Sequence, residues 1–340
     1  MKAMVLAAGL GTRLLPLTCR RAKPVLPVLN RPLLHWTLDR LAAAGVTEVV
    51  VNLHHLPATV VRAVGDGVHF GLRITYSRER AILGTGGGPR KVRAFFGEEP
   101  FLLVNGDVLF DFDLRRLLDR HRRAEVRVSL GLIPNPDPRR YGPVITDETG
   151  GVLSLAGLPR QARGRPWLFT GIHVLDPALL ESLPKGASDS VRDLYAPLLA
   201  RGERILGVPL QGAWYDLGDP ALYLGAQQAL LRKKAVGDER HSLVHPEAQV
   251  HPRASVESSV VGRGCVIGDE ARLLGSVLWE GVRVGVAARV GNSILAAGVR
   301  VAVGEQIEGM VVTKEKPKAA NQAGEIRAGP APVLGARHVV

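Results

Sequence analysis

The chain has 340 residues, 46% of them hydrophobic, which is enough to bury one large α/β domain and a smaller second unit. Lys and Arg outnumber Asp and Glu by 44 to 32 (net +12), yet the basic residues form no single block and aromatics are only 5%, so nothing resembles the basic-aromatic interleaving of a nucleic-acid binder. The two distant cysteines, Cys19 and Cys265, offer neither a disulfide framework nor a metal-type pair, and the apolar run at residues 3–10 is too short to span a bilayer, so a cytoplasmic protein with no membrane partner is expected.

In chain order, Met4-Val5-Leu6-Ala7 reads as a buried strand that ends at Ala8. The string LAAGLGTRLLPLT follows at residues 6–18. Gly9 and Gly11 permit a tight backbone path whose N–H groups suit phosphate oxygens, and Arg13 adds a fixed cationic fork for a polyphosphate. This is neither a dinucleotide fingerprint nor a Walker loop, because Arg13 and Leu14 stand where those motifs need other residues. Lys23, beside Pro24 and between apolar segments, is not placed like a solvated surface lysine.

The spacing of Leu34, Leu38 and Leu41 predicts a helix over 32–44, closed by Gly45. Strands are expected at 49–51, 74–76, 101–104 and 126–132, with helices near 57–64, 89–96 and 114–123. This alternation predicts an α/β, Rossmann-like, mostly parallel sheet with helices on both faces. Ligands of such sheets sit at the carboxyl ends of strands, so chemistry is expected just after residues 8, 54, 76 and 104.

From residue 244 the rhythm changes. Val244, Val250 and Val256 are followed by Val261, Ile267 and Leu273, then Leu278, Val284 and Val290, then Leu295, Val301 and Ile307. The pattern returns every 17 residues, with glycine at corners, and predicts a short left-handed parallel β-helix. The expected organisation is a catalytic domain at 1–232, a linker at 233–243, the β-helix at 244–312 and a loose tail at 313–340. Flat coil faces and unpaired ends favour a homo-oligomer through the β-helix.

The string at 6–18 followed by Lys23-Pro24 resembles the signature of the sugar-1-phosphate nucleotidyltransferases, or NDP-sugar pyrophosphorylases. The similarity continues in LGTGGG at 83–88, LLVNGDVLF at 102–110, RYGPV at 140–144, FTGIHVLDP at 169–177 and WYDLGDPALY at 214–223. It covers residues 1–232, and the hexapeptide-repeat tail also recurs in this family. The strings look closest to the branch of N-acetylmuramate-1-phosphate uridylyltransferase and the mannose- or heptose-1-phosphate guanylyltransferases.

The resemblance implies a nucleoside triphosphate and a sugar 1-phosphate as substrates and Mg²⁺ as cofactor, with GTP slightly ahead of UTP. Ala8, Gly9, Gly11 and Thr12 match the nucleotide loop, and Gly84, Thr85, Gly86 and Gly87 match a second nucleotide-side loop. Arg13 and Lys23 match the catalytic cations, Asp107 and Asp216 the metal carboxylates, and Gly142, Thr170 and Gly171 the sugar pocket. Chemistry agrees for the two acids: a carboxylate at a buried strand's end is costly unless paired or metal-bound, and hard oxygens suit magnesium.

One departure stands out. Many members carry Glu-Lys-Pro before the TG strand, whose lysine grips the sugar phosphate; here Gly157-Leu158-Pro159 occupies that place. Arg160, Arg163 and Arg165 are the candidates to replace the lysine. The loss also permits a catalytically silent paralogue that binds nucleotide sugars. A glycosyltransferase reading rests on the D-x-D letters at Asp111–Asp113. His54, His55, His245 and His251 lack metal-ligand spacing and read as structural.

Overall fold

The computed structural model describes residues 1–157, 165–234, 241–314 and 335–338. The chain forms two compact units, one of residues 1–10 with 34–214 and the other of residues 11–33 with 215–340. The grouping cuts across the boundary expected near residue 233, because the signature segment from Gly11 belongs with the C-terminal part.

The first unit is built on alternating strands and helices: β1 (Lys2–Leu6), α1 (Leu33–Ala43), β2 (Glu48–Leu53), α2 (Pro57–Val64), β3 (Arg73–Arg78), α3 (Gly84–Lys91), β4 (Phe101–Asn105) and α4 (Leu114–Ala124). There follow β5 (Val128–Pro134), β6 (Val144–Thr146), β7 (Val152–Leu155), β8 (Arg165–Leu175) and β9 (Ile205–Pro209). One nine-stranded sheet runs β7-β6-β8-β4-β1-β2-β3, with β5 paired to β8 and β9 paired to β5.

The pairs β4-β1, β1-β2 and β2-β3 are parallel, as the strand–helix alternation requires. Beyond β4 the sheet becomes mixed, since β8 runs antiparallel to β4, β5 and β6. Strands β1 and β4 are continuous apolar runs because both faces are covered: Ala3, Met4, Val5, Leu102 and Val104 are all buried. Their carboxyl ends point one way, and that shared edge carries the candidate site.

In the second unit, Pro27–Val28 and Arg31–Pro32 form a small hairpin, and α5 (Pro220–Lys234) extends two residues into the segment expected as linker. The expected 17-residue register is observed residue for residue. Val244, Val261, Leu278, Leu295 and Val312 stack on one face. Val250, Ile267, Val284 and Val301 stack on the second, and Val256, Leu273, Val290 and Ile307 on the third.

A serine ladder braces one corner. The backbone N–H of Ser276 donates to the hydroxyl of Ser259 at 3.0 Å, that of Ser293 to Ser276 at 3.2 Å, and that of Met310 to Ser293 at 3.0 Å. These serines are buried, and each hydroxyl satisfies an amide that the turn would otherwise strand. In the tail, Gly335–His338 forms a strand parallel to Met310–Thr313, so this part is extended and paired where a loose chain was expected.

Candidate active site

In the first unit, candidate residues lie where β1 and β4 end. The N–H of Gly106 donates to the carbonyl of Leu6 at 2.9 Å, and a Cβ on Gly106 would fall 2.6 Å from that oxygen. Only glycine therefore lets the turn after β4 close on the end of β1. This closure sets the half-buried Asp107 beside the strand end from which Ala8 and Gly9 depart. Ala8 is buried and Gly9 exposed.

A buried polar chain holds that edge together. The N–H of Ala7 donates to Asn52 Oδ1 at 2.7 Å, Asn52 Nδ2 donates to Glu79 Oε1 at 2.8 Å, and Glu79 Oε2 accepts from Leu83 N–H at 2.9 Å. Asn52 and Glu79 are buried, so each bond in the chain protects the others from desolvation. The network ties the start of the first glycine loop to the start of the second. His54 joins it through Nδ1 and the Glu79 carbonyl at 3.0 Å, which gives that histidine a structural partner.

The second glycine string opens α3 and is clasped by residues 186–190. Gly86 N–H donates to the Ser188 carbonyl at 2.9 Å, and Thr85 Oγ1 accepts from Ser190 N–H at 2.8 Å. A Cβ would meet the Ser188 carbonyl oxygen at 2.5 Å from Gly84 and the Gly186 carbonyl oxygen at 2.1 Å from Gly87. The missing side chains thus serve close packing within the protein, and the Thr85 hydroxyl is engaged there too.

The sugar-side residues are also built into the sheet. Gly171 lies in the left-handed region (φ +77°), where β8 slips register against β5, and its Cα packs on Asn105, two residues before Asp107. Thr170 is buried, its hydroxyl donates to Gly131 O at 2.8 Å, and its carbonyl accepts from Trp214 Nε1 at 3.0 Å. The Thr170 hydroxyl is therefore a sheet clamp. Gly142 is exposed, with Ala156 3.3 Å from where its Cβ would stand. Arg165 opens β8; Arg160 and Arg163 lie outside the described residues.

In the second unit the signature loop closes on itself. Gly11 is left-handed (φ +65°), and a Cβ there would stand 2.9 Å from Thr18 Cγ2 and 3.3 Å from Lys23 Cβ. The Thr18 hydroxyl donates to the Gly11 carbonyl at 2.9 Å. The spacing of Gly11, Thr18 and Lys23 in the sequence is thus one packing contact, which fixes the short helix Thr12–Leu14 that presents the exposed Arg13. Lys23 is buried at 7% exposure, at the head of another helical turn.

Asp216 and Arg13 meet at Gly218. A Cβ on Gly218 would fall 2.9 and 3.0 Å from the two Asp216 carboxylate oxygens and 3.1 Å from Arg13 Nη1. This cradle exists only because residue 218 lacks a side chain, and hard oxygen donors beside it fit a magnesium ion. Among the described residues no three His, Cys, Asp or Glu side chains gather as a metal cluster.

Asp111 and Asp113 have other work. Asp111 Oδ1 accepts from Ala213 N–H at 2.6 Å, and Asp113 caps α4 by accepting from Arg115 N–H at 3.1 Å. Both letters of the D-x-D string are thereby explained by local backbone needs. His245 and His251 accept from the N–H groups of Glu247 and Arg253 within β-helix corners, so they too are turn residues.

Residues 2–233 match the family described as nucleotidyl transferase, and residues 239–323 match the GMPPB C-terminal domain. The chain belongs to the sugar-1-phosphate nucleotidyltransferase family. It is 37% identical to the mannose-1-phosphate guanylyltransferase of Mycobacterium tuberculosis over 81% of this chain and 78% of that protein. It is 38% identical to the N-acetylmuramate alpha-1-phosphate uridylyltransferase of Neisseria meningitidis over 64% of this chain and 93% of the relative. A solved Bacillus anthracis structure assigned as a glucose-1-phosphate thymidylyltransferase shares the fold, with TM-score 0.60 and 22% identity over 70% of this chain and 98% of that one.

Sequence reasoning missed Asn52, Glu79 and the 186–190 clasp. Asn52 carried a signal, since it is a polar residue at the end of the apolar strand Val49-Val50-Val51. Glu79 and Ser188 carried none, because their partners are distant in sequence.

Proposed function

We propose that the protein transfers a guanylyl group from GTP to mannose 1-phosphate or a closely related hexose or heptose 1-phosphate, with UTP the next base to test. The observation that carries this reading is the closure of Gly11 on Thr18 and Lys23, which presents Arg13 beside the Asp216 cradle. The similarity to a mannose-1-phosphate guanylyltransferase supports the choice of base and sugar.

The reaction needs no protein nucleophile. A phosphate oxygen of the sugar 1-phosphate attacks the α-phosphorus of the triphosphate in line, the α–β bridging bond breaks, and pyrophosphate leaves with that bond's electrons. Arg13 and Lys23 orient the triphosphate and offset the charge that develops on the leaving group. The backbone path through Ala8, Gly9, Gly11 and Thr12 gives N–H groups to phosphate and base, and the α3 loop, Gly84 to Gly87, shapes the nucleotide side. Asp107 and Asp216 are the residues that would hold magnesium, which when bound neutralises triphosphate charge. Gly142, Thr170 and Gly171 would line the sugar side through backbone atoms, and Arg160, Arg163 and Arg165 would meet the sugar phosphate in place of the missing lysine.

No helix among the described residues is long and apolar enough to cross a membrane, and the free thiols of Cys19 and Cys265 support a reducing, cytoplasmic setting. Self-association through the β-helix is supported by Val286 and Val303, 45% and 74% exposed and stacked on successive coils.

The experiment is pyrophosphate release with Mg²⁺ across five nucleoside triphosphates and a panel of sugar 1-phosphates. A strong signal for GTP with mannose 1-phosphate is expected. A blank grid from folded protein would overturn the reading and point to a silent nucleotide-sugar binder.

A further inference from the structure

Within the sheet unit, β8 carries an irregularity beside the sugar-side residues. Its pairing with β5 slips between Phe169 and His173, so that four steps along β8 match two along β5. Bulges of this kind re-aim the chain beside functional sites. One end of the slip is pinned by the two bonds of Thr170. The other end is His173, which is 1% exposed and bonded through Nδ1 to the hydroxyl of Tyr195, itself 0% exposed. His173 Nε2 is buried with no hydrogen-bond partner among the described residues. A half-satisfied polar pair in an apolar core costs stability that two apolar side chains would not, so packing alone does not account for it.

Tyr195 ends a π-helical turn, Val191–Tyr195, and such turns collect at functional sites. The turn starts from the clasp on the second glycine string. The Thr85 hydroxyl accepts from Ser190 N–H at 2.8 Å and donates to Asp189 Oδ2 at 3.2 Å. Asp189 Oδ1 accepts from the N–H groups of Val191 and Arg192 at 2.9 and 2.8 Å. Asp193 Oδ2 accepts from Asp189 N–H at 2.7 Å, and Asp193 N–H donates back to the Asp189 carbonyl at 2.8 Å. A continuous run of contacts therefore leads from Thr85 through the π-helical turn to Tyr195, His173 and the slip that holds Gly171 against Asn105.

We infer that Tyr195 and His173 are positioning residues that couple the nucleotide-side loop to the sugar side of the site. Which substrate occupies each end rests on the transferase reading above. The pair fixes where β8 resumes its register, and through it where the Thr170–Gly171 backbone and Asn105 stand. When the triphosphate orders Gly84 to Gly87, the clasp and the π-helical turn pass that order to Thr170–Gly171, and the sugar phosphate meets a backbone already in place.

The test uses the full chain with Tyr195→Phe, His173→Leu and the two combined. Each single change leaves a buried polar group facing an apolar one and is expected to lower the urea midpoint, which the double variant recovers. The KM for the sugar phosphate should instead rise about tenfold in all three, with kcat within about twofold of the unaltered protein. His173→Gln, which keeps an acceptor for the Tyr195 hydroxyl, should stay near the unaltered KM. A KM that recovers together with the midpoint in the double variant would make the pair merely structural and sink the proposal. Amide hydrogen exchange of the substrate-free protein gives a readout that needs no turnover. In the double variant, peptides over residues 84–90 and 169–174 should exchange faster together while the urea midpoint holds. Faster exchange over 169–174 alone, or no change in either, would overturn the coupling. Joint loosening of both segments in a protein that turns over no sugar phosphate would support the coupling and remove the transferase reading.

Discussion

The sheet unit and the β-helix solve burial in opposite ways. In the sheet, each strand is different and its neighbours come from far along the chain: β1 pairs with β2 and β4, and β8 returns to β4, β5 and β6. In the β-helix every strand pairs with the residue 17 positions away, and one aliphatic per step fills the core. The first design places unlike residues together and can hold a reactive site. The second places like residues together and makes a stiff, repetitive wall. Chemistry therefore concentrates at strand ends and glycine turns, and mutational cost in the β-helix is structural.

The largest test of that contrast is at the carboxylates. Asp107→Ala and Asp216→Ala are each expected to lower the rate of pyrophosphate release by about a hundredfold or more, with the thermal midpoint nearly unchanged. Asp111→Ala should instead loosen the turn at Ala213 and lower stability more than turnover. Equal rate losses at Asp107 and Asp111 would revive the D-x-D assignment.

Gly11→Ala comes next. The new methyl would meet Thr18 Cγ2 at 2.9 Å and the backbone would be held at φ +65°, a strain on the order of 1–3 kcal/mol. Turnover should fall about tenfold or more as Arg13 is displaced. Steady-state kinetics beside circular dichroism would separate a moved loop from a lost fold.

In the β-helix, Ser276→Ala removes the acceptor for Ser293 N–H and strands a buried amide. The expected cost is about 1–3 kcal/mol in urea denaturation, with kcat unchanged. A fall in kcat equal to that of the Gly11 variant would erase the distinction between site and wall.

The smallest effect is on pH dependence. His173 is fully buried in the sheet unit, bonded through Nδ1 to the Tyr195 hydroxyl, and burial pushes its pKa down to about 3. The unfolded chain, with a pKa near 6.5, then binds a proton that the folded chain does not. Stability from this group is full above about pH 6.5 and is lost as pH falls toward 3, by up to about 1.4 kcal/mol per unit. Urea midpoints at pH 7 and pH 5 should differ in that sense, and His173→Gln should flatten the slope.

How much was readable in advance followed the same division. The stacked aliphatic columns of the β-helix were legible, because a fixed period leaves its trace in the sequence, although Val244 is exposed and the buried Val282, Val299 and Val312 were not read. The early parallel strands and the signature loop were legible too, through apolar runs and glycine spacing. The Asn52–Glu79 chain and the clasp of Ser188 on Gly86 were not, since each joins residues from separate elements without any local mark. The grouping of residues 11–33 with the C-terminal unit was equally hidden, because the sequence records order and not proximity. The serine ladder was an intermediate case: Ser242, Ser259, Ser276 and Ser293 repeat at the same period as the valines, but small polar residues read as turn filler.

That ladder bears on how such a wall can change over evolutionary time. Each rung uses the hydroxyl of one coil to satisfy the amide of the next, so any coil can follow any other. Duplicating or deleting a whole coil would leave every hydroxyl with an amide to meet, whereas an insertion of one or two residues would break the column from that point on. Length in this part of the molecule can thus drift in whole-coil steps, while the catalytic sheet, whose contacts are all unlike, has no comparable unit of growth.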